Sequence, residues 1–97
     1  MIQPGYIYQA DLNEEVRRRV LVISSERFHR LSGRALVAPE VVGTAAQLGY
    51  PWRVQADDAV FAVDLIRSVA VEGLLDRVDR APAHAMQLVR RSLLAIT

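Results

Sequence analysis

Apolar residues in this chain fall mostly in short bursts, separated by polar stretches and by turns marked with glycine or proline. A run of four aliphatic or β-branched residues is too short for a helix and suits a buried strand, so the pattern predicts mainly β-structure. Residues 6–11 (Tyr-Ile-Tyr-Gln-Ala-Asp) follow the Pro4-Gly5 turn and read as the first strand. Residues 12–16 form a polar turn, and Val20-Leu21-Val22-Ile23 reads as a second, buried strand. Residues 24–32 are polar apart from Phe28 and Leu31, three apart, which predicts one short helical stretch ending at Gly33. Residues 35–38 read as a third strand, stopped by Pro39, since proline cannot donate to a ladder.

Residues 40–50 contain two glycines, show no period and read as a loop. Trp52 to Gln55 alternates apolar with polar, Asp57-Asp58 reads as a hairpin turn, and residues 59–63 follow as the returning strand. Residues 69–71 and 74–78 are two more short strands. Pro82 opens the clearest helix, where a proline is tolerated in the first turn. Met86, Val89, Leu93 and Ile96 recur at helical spacing as its apolar stripe, and Arg90 and Arg91 suit its C-terminal half. The whole reads as one α+β unit over residues 1–97, with a curved, mostly antiparallel sheet.

Composition narrows the function. The chain has 97 residues, 52% of them hydrophobic and 24% charged, in keeping with a folded domain. A domain of this size buries limited surface alone, which makes a homodimer the expected state. There is no cysteine, so disulfides, thiolate zinc sites and thiol catalysis are excluded. The two histidines, His29 and His84, are far apart, and no metal or cofactor is expected. No apolar run approaches a bilayer span and the first residues do not resemble a secretory signal, so a cytoplasmic protein with no membrane partner is expected.

Net charge is only +1, but its distribution is uneven. All twelve cations are arginine, and Arg17, Arg18, Arg19, Arg27, Arg30 and Arg34 fall in one segment whose sole acid is Glu26. Arginine presents a planar fork of donors matched to phosphate oxygens, so this stretch is a candidate anion site. The plainer account is a genome that uses arginine for every surface cation. The Arg17-Arg18-Arg19 triplet is the part this account explains least.

Several segments, in order, resemble the MazF/PemK toxin family, which shares a superfamily with the CcdB toxin. Gly5-Tyr6-Ile7-Tyr8-Gln9-Ala10-Asp11-Leu12 is similar to the family's opening strand, and Arg18-Arg19-Val20-Leu21-Val22-Ile23-Ser24 to its Arg-Pro-Val-Leu-Val-Ile-Ser strand. Phe28 to Gly33 is similar to Phe-Asn-Arg-x-Ser-Gly, Val37-Ala38-Pro39 to Val-x-Pro, and Asp64 to Ser68 to Asp-x-Ile-Arg-Thr. The resemblance implies a small SH3-like curved antiparallel β-barrel with a short internal helix and a C-terminal helix. It also implies a homodimer opposed by a cognate antitoxin protein. For the MazF branch it implies metal-independent cleavage of single-stranded RNA by attack of the 2′-hydroxyl on the adjacent phosphate.

By position in the motif, the catalytic arginine of that branch falls on Arg18. RNA contacts are expected at Arg17, Arg19, Arg30 and Asp64. A fixed guanidinium suits the step, because the phosphorane carries extra negative charge. One departure matters: relatives place Thr or Ser where this chain has Val41, and valine donates no hydrogen bond. Thr44 lies three residues on, within reach only of a rebuilt loop. His29 stands at a family asparagine and is expected to make a structural polar contact, and Trp52 to fill core or an interface. Two other readings therefore stand beside the nuclease. Leu48-Gly49-Tyr50-Pro51 is similar to the CcdB branch, which binds DNA gyrase without catalysis, although the chain's Ala95-Ile96-Thr97 end lacks the Trp-Gly-Ile tip of that branch. The third reading is a catalytically degenerate member that only binds its antitoxin.

Overall fold

Seven strands and two helices make up the computed structural model, which describes residues 1–47 and 49–97, and the side chains of all of these except Thr44 and Ala45. The strands are β1 (Tyr6–Ala10), β2 (Arg18–Val22), β3 (Arg34–Val41), β4 (Arg53–Ala56), β5 (Ala59–Ala62), β6 (Arg67–Ala70) and β7 (Leu74–Arg80). The helices are α1 (Glu26–Ser32), between β2 and β3, and α2 (Ala83–Ile96), after β7. All strand pairs are antiparallel, in the order β4-β5-β3-β2-β1-β7, with β6 also on β3. The end strands β4 and β7 are not paired with each other, so the expected barrel is an open one.

Strand β3 differs from its expected length. It runs through Pro39 to Val41. The Leu36 carbonyl accepts from Ile23 N–H at 2.9 Å, so the backbones of residues 36, 38 and 40 turn toward β2. Pro39 therefore turns its nitrogen toward the other edge. That edge pairs with β6 up to Val37 and with β5 from Glu40, and the missing donor falls in the gap between them. The strand keeps its ladder with β2 and changes partner on the other edge at the proline.

The two faces of the sheet build separate cores. Ile7, Leu21, Ala38, Val54, Phe61 and Val63 pack with Ala85 and Val89 of α2. The opposite face gathers Ala10, Val20, Val22, Ala35, Val37, Val69 and Leu74. Helix α2 follows Pro82, which sits just outside the first turn. Its buried side is Ala85, Val89 and Ser92, with Met86 and Leu93 partly buried, whereas Ile96 is exposed and lies outside the packed stripe. Ser92 is accommodated because its hydroxyl shares its one proton between the Leu88 and Pro51 carbonyls.

Helix α1 is short and well capped. Ser25 Oγ accepts from Phe28 N–H at 3.2 Å, and Gly33 closes the helix at φ 69°, which glycine adopts without strain. It holds His29, which is buried and makes the expected structural polar contacts. Nδ1 donates to the Ile2 carbonyl at 2.9 Å, which leaves Nε2 to accept from Ser24 Oγ at 2.7 Å. Ser24 Oγ in turn accepts Leu36 N–H at 2.8 Å. The histidine ties the N-terminal segment to β3.

Phe61 has no exposed surface and belongs to the first core, with Val54, Ala85 and Val89. Phe61→Ala should lower unfolding free energy by about 3–5 kcal/mol, read from urea denaturation, with the slope unchanged.

Candidate active groove

Alternation along β2 separates the neighbouring arginines. Leu21, on the α2 side, places Arg19 on that face, and Val20 and Val22 place Arg18 on the other. The β2–β3 register pairs Val20 with Pro39; carried two residues further it sets Arg19 across from Glu40 and Arg18 across from Val41.

Arg18 and Val41 indeed line one groove of about 400 Å³, with Val16, Arg17, Glu40 and Val42. Val16 and Val42 are about three-quarters exposed (75% and 76%) and form apolar lips. Arg18 is held by Glu14, Nη2 to Oε2 3.2 Å, a half-exposed pair contributing about 0–1 kcal/mol. An incoming phosphate can displace so weak a partner. Arg17 is exposed and joins the same groove.

Arg19 is engaged elsewhere. Its Nε and Nη2 grip both Glu40 oxygens at 3.2 and 2.6 Å, and its Nη1 reaches Asp58 at 3.1 Å. The Glu40 hydrogen bond raises its pKa above the ordinary arginine value despite burial. The triplet thus contributes two cations to the groove and one to a tie across β2, β3 and the β4–β5 turn.

Two other expected site residues also stand apart from the groove. Arg30 pairs with Glu26 at 3.5 Å on the exposed side of α1. Asp64, in the turn after β5, is paired with Arg53 of β4. Trp52 stacks on Tyr50, centroids 5.4 Å apart and planes within 13°, and packs partly against the core, as expected for a filling residue. The Thr44 side chain and Leu48 lie outside the described residues. Among the described residues no group of three or more His, Cys, Asp or Glu could hold a metal ion, and no helix is long and apolar enough to cross a membrane.

The arrangement of strands and helices is that of the MazF toxins. A MazE–MazF complex from Deinococcus radiodurans superposes with a TM-score of 0.83 at 21% identity, over 98% of this chain and 94% of that one. An endoribonuclease in complex with its cognate antitoxin, from a mycobacterial species, gives 0.85 at 15% identity, over 98% and 93%. The Mycobacterium tuberculosis toxin MazF-mt6 gives 0.71 at 19%, over 91% of each chain. No curated protein sequence matches significantly. The sequence model described as PemK-like, MazF-like toxin of type II toxin-antitoxin systems matches residues 3–97, and the chain belongs to that family.

On the α2 face, Asp57 in the β4–β5 turn meets Asp79 of β7. The shared side-chain hydrogen bond holds Asp57 above the usual carboxylate range, while the Arg80 N–H, 2.7 Å from Asp79 Oδ1, leads in holding Asp79 below it. A raised carboxyl pKa marks a charge the fold disfavours, so its penalty is present at neutral pH and vanishes once the group is protonated in both states. Asp57→Asn, whose side chain tolerates the φ of 54° found there, should raise the midpoint of thermal unfolding at neutral pH. The gain should disappear near about pH 3, where aspartate is protonated even when unfolded.

Proposed function

We propose that this toxin is an endoribonuclease acting on single-stranded RNA, with Arg18 as its phosphate-stabilising group. The observation that carries this reading is the groove that joins Arg18 and Arg17 to the position of Val41. In the reaction the 2′-hydroxyl gives its proton to water and attacks the adjacent phosphorus. The P–O5′ bond breaks to leave a cyclic phosphate, and the departing 5′-oxygen takes a proton from water. The guanidinium of Arg18 donates to the phosphorane oxygens as their charge grows. Arginine stays protonated throughout, so it serves as clamp and not as base. Glu14, held against Arg18, keeps the free guanidinium over the groove and yields when a phosphate enters. Arg17 adds a second phosphate contact at the groove's edge. Arg19 contributes by holding Glu40, and therefore the end of β3, in register.

The groove also supports a partner. An acidic antitoxin tail complements Arg17 and Arg18, and the apolar lips Val16 and Val42 give such a segment something to bury as it folds on binding. A homodimer fits the apolar residues left exposed on α2, Leu88, Leu94 and Ile96.

Val41 favours a second reading. Its side chain is buried at the groove wall and donates nothing where relatives place a hydroxyl. A toxin that has lost that donor would act by binding a protein such as gyrase, or would bind only its antitoxin.

Digestion of a long single-stranded RNA in EDTA separates the readings. The nuclease reading expects cleavage that leaves cyclic phosphate ends and falls at least about a hundredfold in Arg18→Ala, in line with loss of a transition-state donor. Val41→Thr, nearly isosteric, should cut faster. Intact RNA alongside growth arrest would instead support a protein target.

A further inference from the structure

Strand β7 carries Asp76, Arg77, Asp79 and Arg80. In a regular strand residues 77 and 79 share a face, so an arginine and an aspartate would lie side by side and offset each other. The pairing with β1 prevents this. Ile7 lies opposite Asp79 but Tyr8 opposite Arg77, which leaves Val78 as the extra residue of a bulge. Arg77 and Arg80 therefore both fall on the face of Tyr6 and Tyr8. Asp76 and Asp79 fall on the other face, opposite Gln9 and Ile7, where Asp79 meets Asp57.

On the Tyr6 face the two guanidinium groups gather over one ring, their central carbons 4.6 and 6.0 Å from its centroid. Among the described residues no carboxylate pairs with either. Two like charges brought together without a counter-ion repel, the ring beneath them offsets only part of that cost, and an anion would relieve the rest. Register also sets this cluster on the face of Arg18. Tyr8 lies opposite Val20 and Ala10 opposite Arg18, so one side of β2, β1 and β7 carries all three arginines. Strand spacings put Arg18 and Arg77 roughly 10–15 Å apart, with the second core over Ala10 and Val20 between them. A short single strand joins them by passing around the rim of that core. Beside Arg80 a groove of about 650 Å³ opens toward Gln87 and Arg90 of α2, giving the strand room to continue.

We propose that Tyr6, Arg77 and Arg80 form a second contact for the single-stranded RNA whose scissile phosphate sits at Arg18. A base stacks on Tyr6 as Arg77 swings off the ring to one flanking phosphate, and Arg80 holds the other. The proposal rests on the nuclease reading and extends it beyond the Arg18 groove.

The test is fluorescence anisotropy with a long mixed-sequence 2′-O-methyl RNA, which cannot be cleaved, at several salt concentrations. Arg77→Ala/Arg80→Ala should weaken binding about tenfold or more and flatten the salt slope by about one to two. Tyr6→Leu should weaken it about tenfold, while Tyr6→Phe, which keeps the ring, stays near wild type. Arg91→Ala removes a positive charge elsewhere and should leave binding within about twofold. Circular dichroism melts confirm that each variant is folded. Wild-type affinity and slope in the Arg77→Ala/Arg80→Ala protein, or in Tyr6→Leu, would overturn the second contact. If the unmodified toxin neither binds this RNA nor cuts its 2′-hydroxyl counterpart, the nuclease reading itself fails. Cutting by the wild type with unaffected variants removes the second contact alone.

Discussion

Consecutive side chains of a strand must leave on opposite faces, and this constraint decides what each arginine of the β2 triplet can do. Arg18 goes to the face that ends in a groove with a weakly held carboxylate. Arg19 goes to the face packed under α2, where three carboxylates, Glu40, Asp58 and Asp79, surround it. Arg19 is compensated by all three, whereas Arg18 is met by the half-exposed Glu14. The same alternation fixes Val41 beside Arg18, because β2 and β3 are locked in register by Val20, Leu21 and Val22 against Pro39, Ala38 and Val37.

Much of the fold was legible from hydrophobic pattern alone. The strand cores around Ile7, Leu21, Val37, Val54 and Phe61 are short apolar bursts, and both helices carry their signals in plain view. Pro39 misled because proline is read as a stop when each residue is taken to have partners on both edges. What rescues it is a change of partner on one edge, a tertiary fact with no local trace. Ile96 was assigned to the packed stripe because spacing continues to the end of a helix even where there is no longer a sheet beneath it.

Of the candidate site, the family resemblance drew attention to Arg18 and Val41 together, and one groove is lined by both. Where Arg19, Arg30 and Asp64 fall depends on the charged partners they meet: Glu40 from another strand for Arg19, Glu26 one helical turn away for Arg30, and Arg53 for Asp64. Tyr6, Arg77 and Arg80 carried no signal at all, since their convergence comes from a single extra residue in β7. A pattern that alternates acid and base along a strand reads as neutral until a bulge sorts it by face.

That sorting also governs how the sheet can grow. Among the described residues the outer edge of β7 has no partner strand, and such edges invite a second strand. A twofold copy laid antiparallel against it would bring guanidinium groups against guanidinium groups above the sheet, and carboxylates against carboxylates below. Like charges set opposite each other are destabilising, so the bulge that concentrates charge also guards this border against runaway self-stacking.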